Sequence, residues 1–328
     1  MSSSRNSPTL NLHPFRVEPR FTTRVWGYRD LRPWYDRVAE GDPIGEVWLT
    51  GDDCLIATGP YAGKKLAALF GEAYALLLGD GAPSPQSPLL VKMLFAREKL
   101  SVQVHPDDAM AQKYGQPRGK TECWYALDAE PDAQVAVGLK PGVTLAQVKE
   151  EISAGTLEES LNLVPVDRGD MIFVDAGTVH AIWPGSIILE TQQNCDITYR
   201  MFDYGRPREL HVEKSLEATK FATRAGKVAP QQIGDRMVLL DVEYFRIEKI
   251  PVDGTRTSES LRGAGGKPGL AWLFAAAGAG RLSGDGVEAV DLPARGIVCV
   301  PASSPEFVLE DLGGLDLIRI TPNWPGTK

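Results

Sequence analysis

The segment Leu100–Asp108, L-S-V-Q-V-H-P-D-D, places a glutamine and a histidine at a spacing suited to metal binding. Apolar and polar residues alternate along it, which is typical of a strand with one polar face. On such a strand Gln103 and His105 point to the same side, where an amide oxygen and an imidazole could bind one metal ion. A lone histidine is more often a buried residue held by hydrogen bonds, so the metal hypothesis depends on further ligands.

Two later segments supply those ligands. Lys120 and Glu122 share one face of a second predicted strand, G-K-T-E-C-W-Y, and His180 follows a glycine turn in F-V-D-A-G-T-V-H-A-I. With Gln103 and His105 they give two imidazoles, one carboxylate and one amide oxygen. This set suits a borderline divalent ion such as Zn²⁺ and leaves a coordination position for water or substrate. We therefore predict one zinc ion per chain.

Composition limits the classes of partner. The chain has 328 residues, 43% of them hydrophobic, with a net charge of -8 and no cluster of lysine and arginine, which argues against nucleic acid. The N-terminal region is polar and lacks an apolar stretch, so neither a secretory signal nor a membrane anchor is predicted, and Met1–Ser7 is interpreted as a disordered tail.

The cysteines indicate a reducing compartment. All four are widely separated and form no C-x-x-C pair, so neither a disulfide framework nor a cysteine zinc site is expected. They are Cys54, Cys123, Cys195 and Cys299. A cytoplasmic location fits this pattern.

Strands and short helices must position the candidate ligands. Residue patterns predict early strands over Arg24–Tyr28 and Ile44–Thr50. Helices are predicted over Gly63–Leu78, Asp107–Tyr114, Val143–Ala154, Leu157–Leu163 and Glu209–Ala218. Asp107 and Asp108 are interpreted as capping the second of these in preference to binding metal, and Thr144 and Thr156 as N-caps of the third and fourth. The apolar strand P-L-L-V-K-M-L-F-A contains Lys92, which either lies at a strand edge and extends to solvent or belongs to an anion pocket.

The residue pattern of the chain changes beyond Phe221. Strand-like segments alternate there with glycine-rich turns, and no histidine occurs. We therefore predict two units: residues 1–222 form the metal-binding catalytic domain, and residues 223–328 form a smaller β domain without metal ligands. The glycine runs Gly263–Gly269 and Gly278–Arg281 lack the features of a phosphate loop and are predicted to be hairpin turns.

Four segments together resemble a known family. S-V-Q-V-H-P-D-D, G-K-T-E-C-W-Y, A-G-T-V-H-A-I and L-E-T-Q-Q-N-C-D-I-T-Y-R look like the signature segments of type I phosphomannose isomerases, in the family's order, over most of the first two-thirds of the chain. These are zinc-dependent enzymes of the cupin superfamily. The resemblance implies a mainly β fold of two cupin-like jelly-roll units with a few peripheral helices, in a compact bacterial form. It also implies interconversion of mannose 6-phosphate and fructose 6-phosphate through an enediol(ate).

The same resemblance suggests roles for further residues. By its place in L-E-T-Q-Q-N-C-D-I-T-Y-R, Arg200 corresponds to the family's catalytic arginine and would hold negative charge on the enediolate. Lys120, Glu190 or a metal-bound water could carry the proton between C1 and C2, and the sequence does not choose among them. The candidates for binding the substrate phosphate are Ser101, Lys120, Lys92 and Arg206.

Two other classes of function compete with the isomerase. One is a metal cupin of different chemistry, such as a dioxygenase or a sugar epimerase; the other is a non-catalytic sugar-binding cupin. A ligand set with Gln and Glu and the nearby lysine count against the first, and the complete site counts against the second. The expected partner is a small sugar phosphate, with no nucleic acid or membrane, and the sequence fits a monomer or a homodimer.

Overall fold

The computed structural model describes residues 12–79, 82, 84–261 and 269–323. The predicted tail Met1–Ser7 and most of the glycine run Gly263–Gly269 lie outside these residues. Within them, strands dominate and helices are few and short. None of the described helices is long and apolar enough to cross a membrane.

The strands and helices follow one another along the chain in this way. Strands of the first part are β1 (Phe15–Val17), β2 (Arg20–Tyr28), β3 (Ile44–Trp48), β4 (Leu89–Phe95), β5 (Val102–Val104), β6 (Glu122–Ala129), β7 (Gln134–Leu139), β8 (Leu161–Pro165), β9 (Met171–Val174), β10 (His180–Ile182), β11 (Ser186–Gln193) and β12 (Tyr199–Phe202). Strands of the second part are β13 (Gly226–Val228), β14 (Gln231–Ile233), β15 (Arg236–Asp241), β16 (Phe245–Ile250), β17 (Thr255–Thr257), β18 (Ala271–Ala277), β19 (Gly280–Gly284), β20 (Val287–Leu292), β21 (Ile297–Val300), β22 (Val308–Asp311) and β23 (Asp316–Pro322). The helices are α1 (Leu66–Leu78), α2 (Asp108–Lys113), α3 (Leu145–Ala154), α4 (Val212–Ala218) and α5 (Ser258–Leu261), with a 3-10 turn at Leu157–Ser160.

Four antiparallel sheets form two sandwich units. In the first unit a seven-stranded sheet, in the order β13-β9-β6-β11-β4-β3-β2, faces a five-stranded sheet, β12-β5-β10-β7-β8. In the second unit a seven-stranded sheet, β1-β21-β18-β23-β16-β15-β14, faces a four-stranded sheet, β17-β22-β19-β20. The two seven-stranded sheets repeat the same chain order from their second strand onward, so the second unit is built on the plan of the first.

The units are joined by exchanged edge strands and a common core. Strand β1 pairs with β21 of the second unit, whereas β13 pairs with β9 of the first. The predicted division at residues 222 and 223 therefore does not assign Phe15–Val17 and Gly226–Val228 to the sheets in which they pair. One hydrophobic cluster contains residues of both seven-stranded sheets, among them Met93, Phe173 and Trp272. The two sheets thus bury their outer faces against each other.

Strand alternation in the five-stranded sheet aims the polar residues inward. Val102, Val104, Tyr199 and Met201 pack with residues of α3 and α4 in one apolar cluster on the outer face. Because successive side chains of a strand point to opposite faces, Gln103 and Arg200 must face the seven-stranded sheet of the same unit. The peripheral helices therefore fix which side chains enter the interior of the first unit.

Most predicted elements are confirmed, with shifted ends. Asp107 caps α2 through a 3.0 Å hydrogen bond from Met110 N–H, and Thr144 caps α3 through one of 3.2 Å from Gln147 N–H. The helix predicted at Gly63 begins at Leu66, and the one predicted at Glu209 begins at Val212.

Two predictions are wrong. The helix over Leu157–Leu163 is a 3-10 turn followed by β8, because residues from Leu161 onward pair with β7, and Thr156 makes no capping bond. The turn at Gly278 does not close a hairpin, because β18 and β19 belong to different sheets.

The prediction of unpaired cysteines is confirmed, since all four are free thiols.

Candidate metal centre and active site

A cavity of about 510 Å³ opens between the inner faces of the first unit's two sheets. Glu46 on β3, Lys92 on β4 and Glu190 on β11 line it from the seven-stranded sheet. Gln103 on β5 and Arg200 on β12 line it from the five-stranded sheet. The alternation of each strand thus gathers polar groups from distant parts of the sequence into one space.

Three buried side chains beside this cavity form a cluster that could hold a metal ion. His105, Glu122 and His180 offer ligand atoms that all lie within 4.8 Å of one another. The Nε2 atom of His105 is 3.6 Å from Glu122 Oε2, and that of His180 is 3.4 Å from Glu122 Oε1. His105 follows β5, while Glu122 and His180 begin β6 and β10. The predicted ligands are therefore brought together by three strands.

Both histidines are in the form that a metal requires. His180 Nδ1 lies 2.8 Å from the carbonyl oxygen of Thr178, so it donates the ring proton there and leaves Nε2 with a lone pair directed at the cluster. Burial lowers the pKa of His180 to about 4. Burial, followed by the nearby Lys120 ammonium, lowers the pKa of His105 well below its usual value. Both rings are consequently neutral near pH 7.

Gln103, the fourth predicted ligand, lies at the edge of the cluster. Its side-chain amide is 3.2 Å from His180 Nε2 on one side and accepts a 3.4 Å hydrogen bond from Ser101 on the other. Rotating the amide by half a turn exchanges its oxygen and nitrogen without moving the side chain, so the oxygen can face the cluster. The register His180↔Gln103 across β10 and β5 sets this neighbour relation.

The residues present fit a divalent cation. Glu122 is fully buried, and its Oε1 accepts no hydrogen bond from any described residue. Lys120 Nζ lies 3.0 Å from Glu122 Oε2 and 3.1 Å from His105 Nε2, so a positively charged group already contacts this buried carboxylate. The Oε1 atom is left for a second cation. Two neutral imidazoles and a carboxylate, with an amide oxygen nearby, form a nitrogen and oxygen donor set suited to Zn²⁺.

A buried chain of charges lines the cavity beside the cluster. Lys92 Nζ is 2.7 Å from Glu190 Oε2 and 3.9 Å from Glu46 Oε1. Although burial alone lowers the pKa of Lys92, Glu190 and Glu46 outweigh it and raise that pKa. Trp124 Nε1–H donates a 3.0 Å hydrogen bond to Glu190 Oε1. Lys92 lies on an inner strand and is 4% exposed, so the strand-edge alternative is wrong.

Three arginines line the wall of the cavity. Arg200, the predicted catalytic residue, donates from Nη1 to the Glu209 carbonyl at 2.9 Å. Burial, followed by the charge of Arg208, lowers the pKa of Arg200. Arg208 and Arg24 line the same cavity. These two were missed from the sequence, although Arg24 lies two residues before Trp26 in a predicted strand and so shares its face, and both residues line the cavity.

The predicted phosphate candidates are only partly brought together. Ser101, Lys120 and Lys92 line the cavity, whereas Arg206 is not among its lining residues. Arg206 pairs instead with Glu98 at 2.8 Å and with Asp203 at 3.2 Å. Arg208 lies two residues further on, and it is this residue that lines the cavity.

Comparisons with known proteins agree with this geometry. A family model described as phosphomannose isomerase type I, catalytic domain, matches residues 15–145. The probable mannose-6-phosphate isomerase GmuF of Bacillus subtilis is 31% identical over 91% of this chain and 96% of its own length. The mannose-6-phosphate isomerase ManA of Bacillus subtilis is 34% identical over 75% of this chain and 82% of its own.

A solved structure shares the whole fold. The crystal structure of the mannose 6-phosphate isomerase from Bacillus subtilis superimposes with a TM-score of 0.82 at 28% identity, over 94% of this chain and 99% of that one. The predicted mainly β architecture of two cupin-like units with a few helices is thereby confirmed.

Proposed function

Because this chain belongs to the type I phosphomannose isomerase family and is a mannose-6-phosphate isomerase, we propose that it interconverts mannose 6-phosphate and fructose 6-phosphate through an enediol(ate) at a single zinc site. The buried cluster of His105, Glu122 and His180 beside a polar cavity carries this proposal. His105, Glu122 and His180 would hold the ion, and the Gln103 oxygen would complete its protein ligands. When bound, zinc supplies Lewis acidity that polarises substrate oxygens.

Arg200 is proposed to stabilise the negative charge of the intermediate. The reaction moves a proton between C1 and C2 and places negative charge on the oxygens of the intermediate. Arg200 lines the cavity, and its Nε has no hydrogen-bond partner among the described residues, so this donor is available to a substrate oxygen. The hydrogen bond from Nη1 to the backbone of Glu209 holds the guanidinium in place.

For the proton carrier between the two carbons we favour Lys120, whose Nζ would take the proton from one carbon as a neutral amine and return it to the other as an ammonium. Both Lys120 and Glu190 line the cavity, but the two oxygens of Glu190 are engaged by Trp124 and Lys92. Lys120 Nζ instead contacts His105 Nε2 and Glu122 Oε2, the atoms that would bind the metal, so it would lie close to sugar oxygens held at that metal. Glu190 then acts through Lys92, by holding that ammonium in the wall of the cavity.

The proposed binding site for the substrate phosphate is the part of the cavity lined by Arg208 and Ser101. Ser101 and Arg208 both line the cavity on the side of the five-stranded sheet, and a guanidinium can grip two phosphate oxygens at once. Arg208 is held by two 2.6 Å bonds from its Nε and Nη2 to Asp203, so its orientation is fixed before substrate binds. We assign the phosphate contact to Arg208 and Ser101 in preference to Arg206.

The decisive experiment follows conversion of mannose 6-phosphate to fructose 6-phosphate during metal removal. The purified protein is assayed as isolated, after chelation and dialysis, and after addition of zinc, with magnesium as the control ion. Activity should disappear with the metal and return with zinc, because no side chain in the cavity replaces its Lewis acidity. Full activity in a protein shown by elemental analysis to contain no transition metal would refute the zinc proposal.

A further inference from the structure

A second cavity, of about 540 Å³, lies on the opposite side of β6 from the active site. Tyr125 and Leu127 of β6 line it, whereas the intervening Trp124 and Ala126 belong to the apolar cluster inside the first unit. The other wall comes from the second unit and includes Lys249 of β16. The cavity therefore sits at the junction of the two seven-stranded sheets, away from the proposed metal and substrate site.

Arg295, in the turn before β21, lines this cavity with a strained backbone. Its φ angle is 59°, in the left-handed region that residues with a side chain rarely adopt. The turn holds it there from both sides: its N–H donates to the Ala275 carbonyl at 2.7 Å, and its carbonyl accepts from Tyr35 Oη at 2.9 Å. An observed outlier of this kind points toward function.

The first unit contains a matched turn that uses glycine. Gly169 precedes β9, the strand equivalent to β21 in the repeated sheet order. Its φ is 94°, and its N–H donates to the Ala126 carbonyl of β6 at 2.8 Å, as the Arg295 N–H does to β18. Glycine adopts this conformation without strain. The turn geometry alone thus favours glycine at position 295, and the arginine there must be accounted for by its side chain.

That side chain is presented to the cavity without a counter-ion. The Arg295 guanidinium lies 5.0 Å from the centre of the Trp34 ring, and its Nε is buried without a hydrogen-bond partner among the described residues. Arg168, which precedes the matched glycine, lines the same cavity. Across the part of the chain that the structure describes, neither arginine forms an ion pair, whereas Lys249 is compensated by Asp316 at 2.8 Å. Asp128 is the other acid in the lining.

We propose that this cavity is a second ligand site, which binds the phosphate group of a small phosphate monoester between Arg168 and Arg295. Two guanidinium groups without carboxylate partners supply the paired donors that a phosphate accepts. The Trp34 and Leu127 side chains offer an apolar surface for the organic part of the molecule. The site is separate from the active site, so its occupancy does not require the isomerase reaction.

The test uses inorganic phosphate as the probe and reads each arginine separately. The metal-loaded protein is treated with the arginine reagent phenylglyoxal, with and without phosphate, and modified positions are quantified by peptide mass spectrometry. Phosphate at about four times its dissociation constant should slow modification of both Arg168 and Arg295 roughly fivefold. Arg224, which is exposed and pairs with Asp175 away from both cavities, serves as the internal control.

Two variants separate this site from the active site. Arg295→Gly copies the matched turn, so it should fold, keep its KM for mannose 6-phosphate, and lose the protection of Arg168 by phosphate. Arg168→Gln changes an exposed residue and should likewise abolish the protection of Arg295. The proposal is overturned if phosphate leaves both arginines unprotected while it inhibits the isomerase, or if Arg295→Gly retains full protection of Arg168.

Discussion

Lys92 and Glu190 lie directly opposite each other on β4 and β11, and both are 4% exposed. The second unit pairs Glu248 with Arg319 in the same way on β16 and β23, the equivalent strands. The charges are exchanged between the strands, and in the second unit they are enclosed in the interior. In the first unit the pair lines the cavity of the candidate active site, so one structural position serves packing in one half and borders this cavity in the other.

The first prediction concerns this ion pair. Glu190→Gln should lower the free energy of unfolding by about 3 kcal/mol, because among the described residues it leaves the buried Lys92 ammonium paired with the more distant Glu46 alone. Urea unfolding at neutral pH measures the change. Arg281→Gln is the control, since Arg281 and Asp291 form an exposed pair whose loss should change the free energy of unfolding far less. Equal small effects would show that the Lys92 charge is satisfied without Glu190.

The second prediction concerns the metal ligands. His105→Ala and His180→Ala should each lose bound zinc and isomerase activity while remaining folded, since neither ring belongs to the large apolar clusters that form the core. Elemental analysis and circular dichroism measure the two properties. His211→Asn is the matched control, because His211 accepts a hydrogen bond from Arg200 N–H and does not belong to the metal cluster. Zinc retained at full stoichiometry by either alanine variant would remove that histidine from the ligand set.

The third prediction separates three arginines by kinetics. Arg208→Gln should raise the KM for mannose 6-phosphate at least about tenfold, because a charged hydrogen bond to phosphate is lost. Arg206→Gln, two positions away and outside the cavity lining, should change KM far less. Arg200→Ala should keep its zinc and lower kcat, since its contact forms as charge develops. The reverse order of KM effects would return the phosphate contact to Arg206.

The fourth prediction concerns pH. Burial alone raises the pKa of Glu46, but Lys92 and Arg24 outweigh it, so the pKa falls below its ordinary value of 4.5. A carboxyl with a lower pKa in the folded protein contributes stability that is complete above the unfolded pKa and is lost as pH falls through the folded pKa. The stability difference between the natural protein and Glu46→Gln, about 2 kcal/mol at pH 7, should therefore shrink below about pH 4.5. A difference that stays constant to pH 3 would contradict it.

Residue spacing was sufficient to predict that His105, Glu122 and His180 belong to one site, because each candidate ligand stands next to a short strand signal. Gln103 alternates with buried valines, Glu122 opens an apolar strand and His180 follows a glycine turn. Strand alternation fixes the direction of a side chain from neighbours in the sequence alone. The role proposed for Arg200 depends on the family resemblance, since its local sequence fits a surface ion pair equally well.

Long-range pairing was not available from local patterns. The exchange of β1 and β13 between units depends on contacts with β21 and β9, which lie far away in the sequence. The same holds for Arg208, whose place in the cavity follows from its bond to Asp203 and from the path of the chain between β12 and α4. The segment after Leu161 became a strand because β7 offers it an edge, which overrides its local helical pattern.

The fifth prediction isolates the backbone strain at Arg295. Arg295→Ala and Arg295→Gly both remove the guanidinium and its contact with Trp34, so they differ only in the cost of the left-handed conformation. The glycine variant should be more stable by about 1 kcal/mol, because alanine keeps the clash of Cβ with the backbone. Gly169→Ala, in the matched turn, should lose a similar amount, since its φ is 94° and no neighbouring atom lies within 4 Å of the added Cβ. Thermal unfolding of the three variants measures these differences. If the alanine and glycine variants at 295 were equally stable, the turn would not be strained and arginine would need no compensating role there.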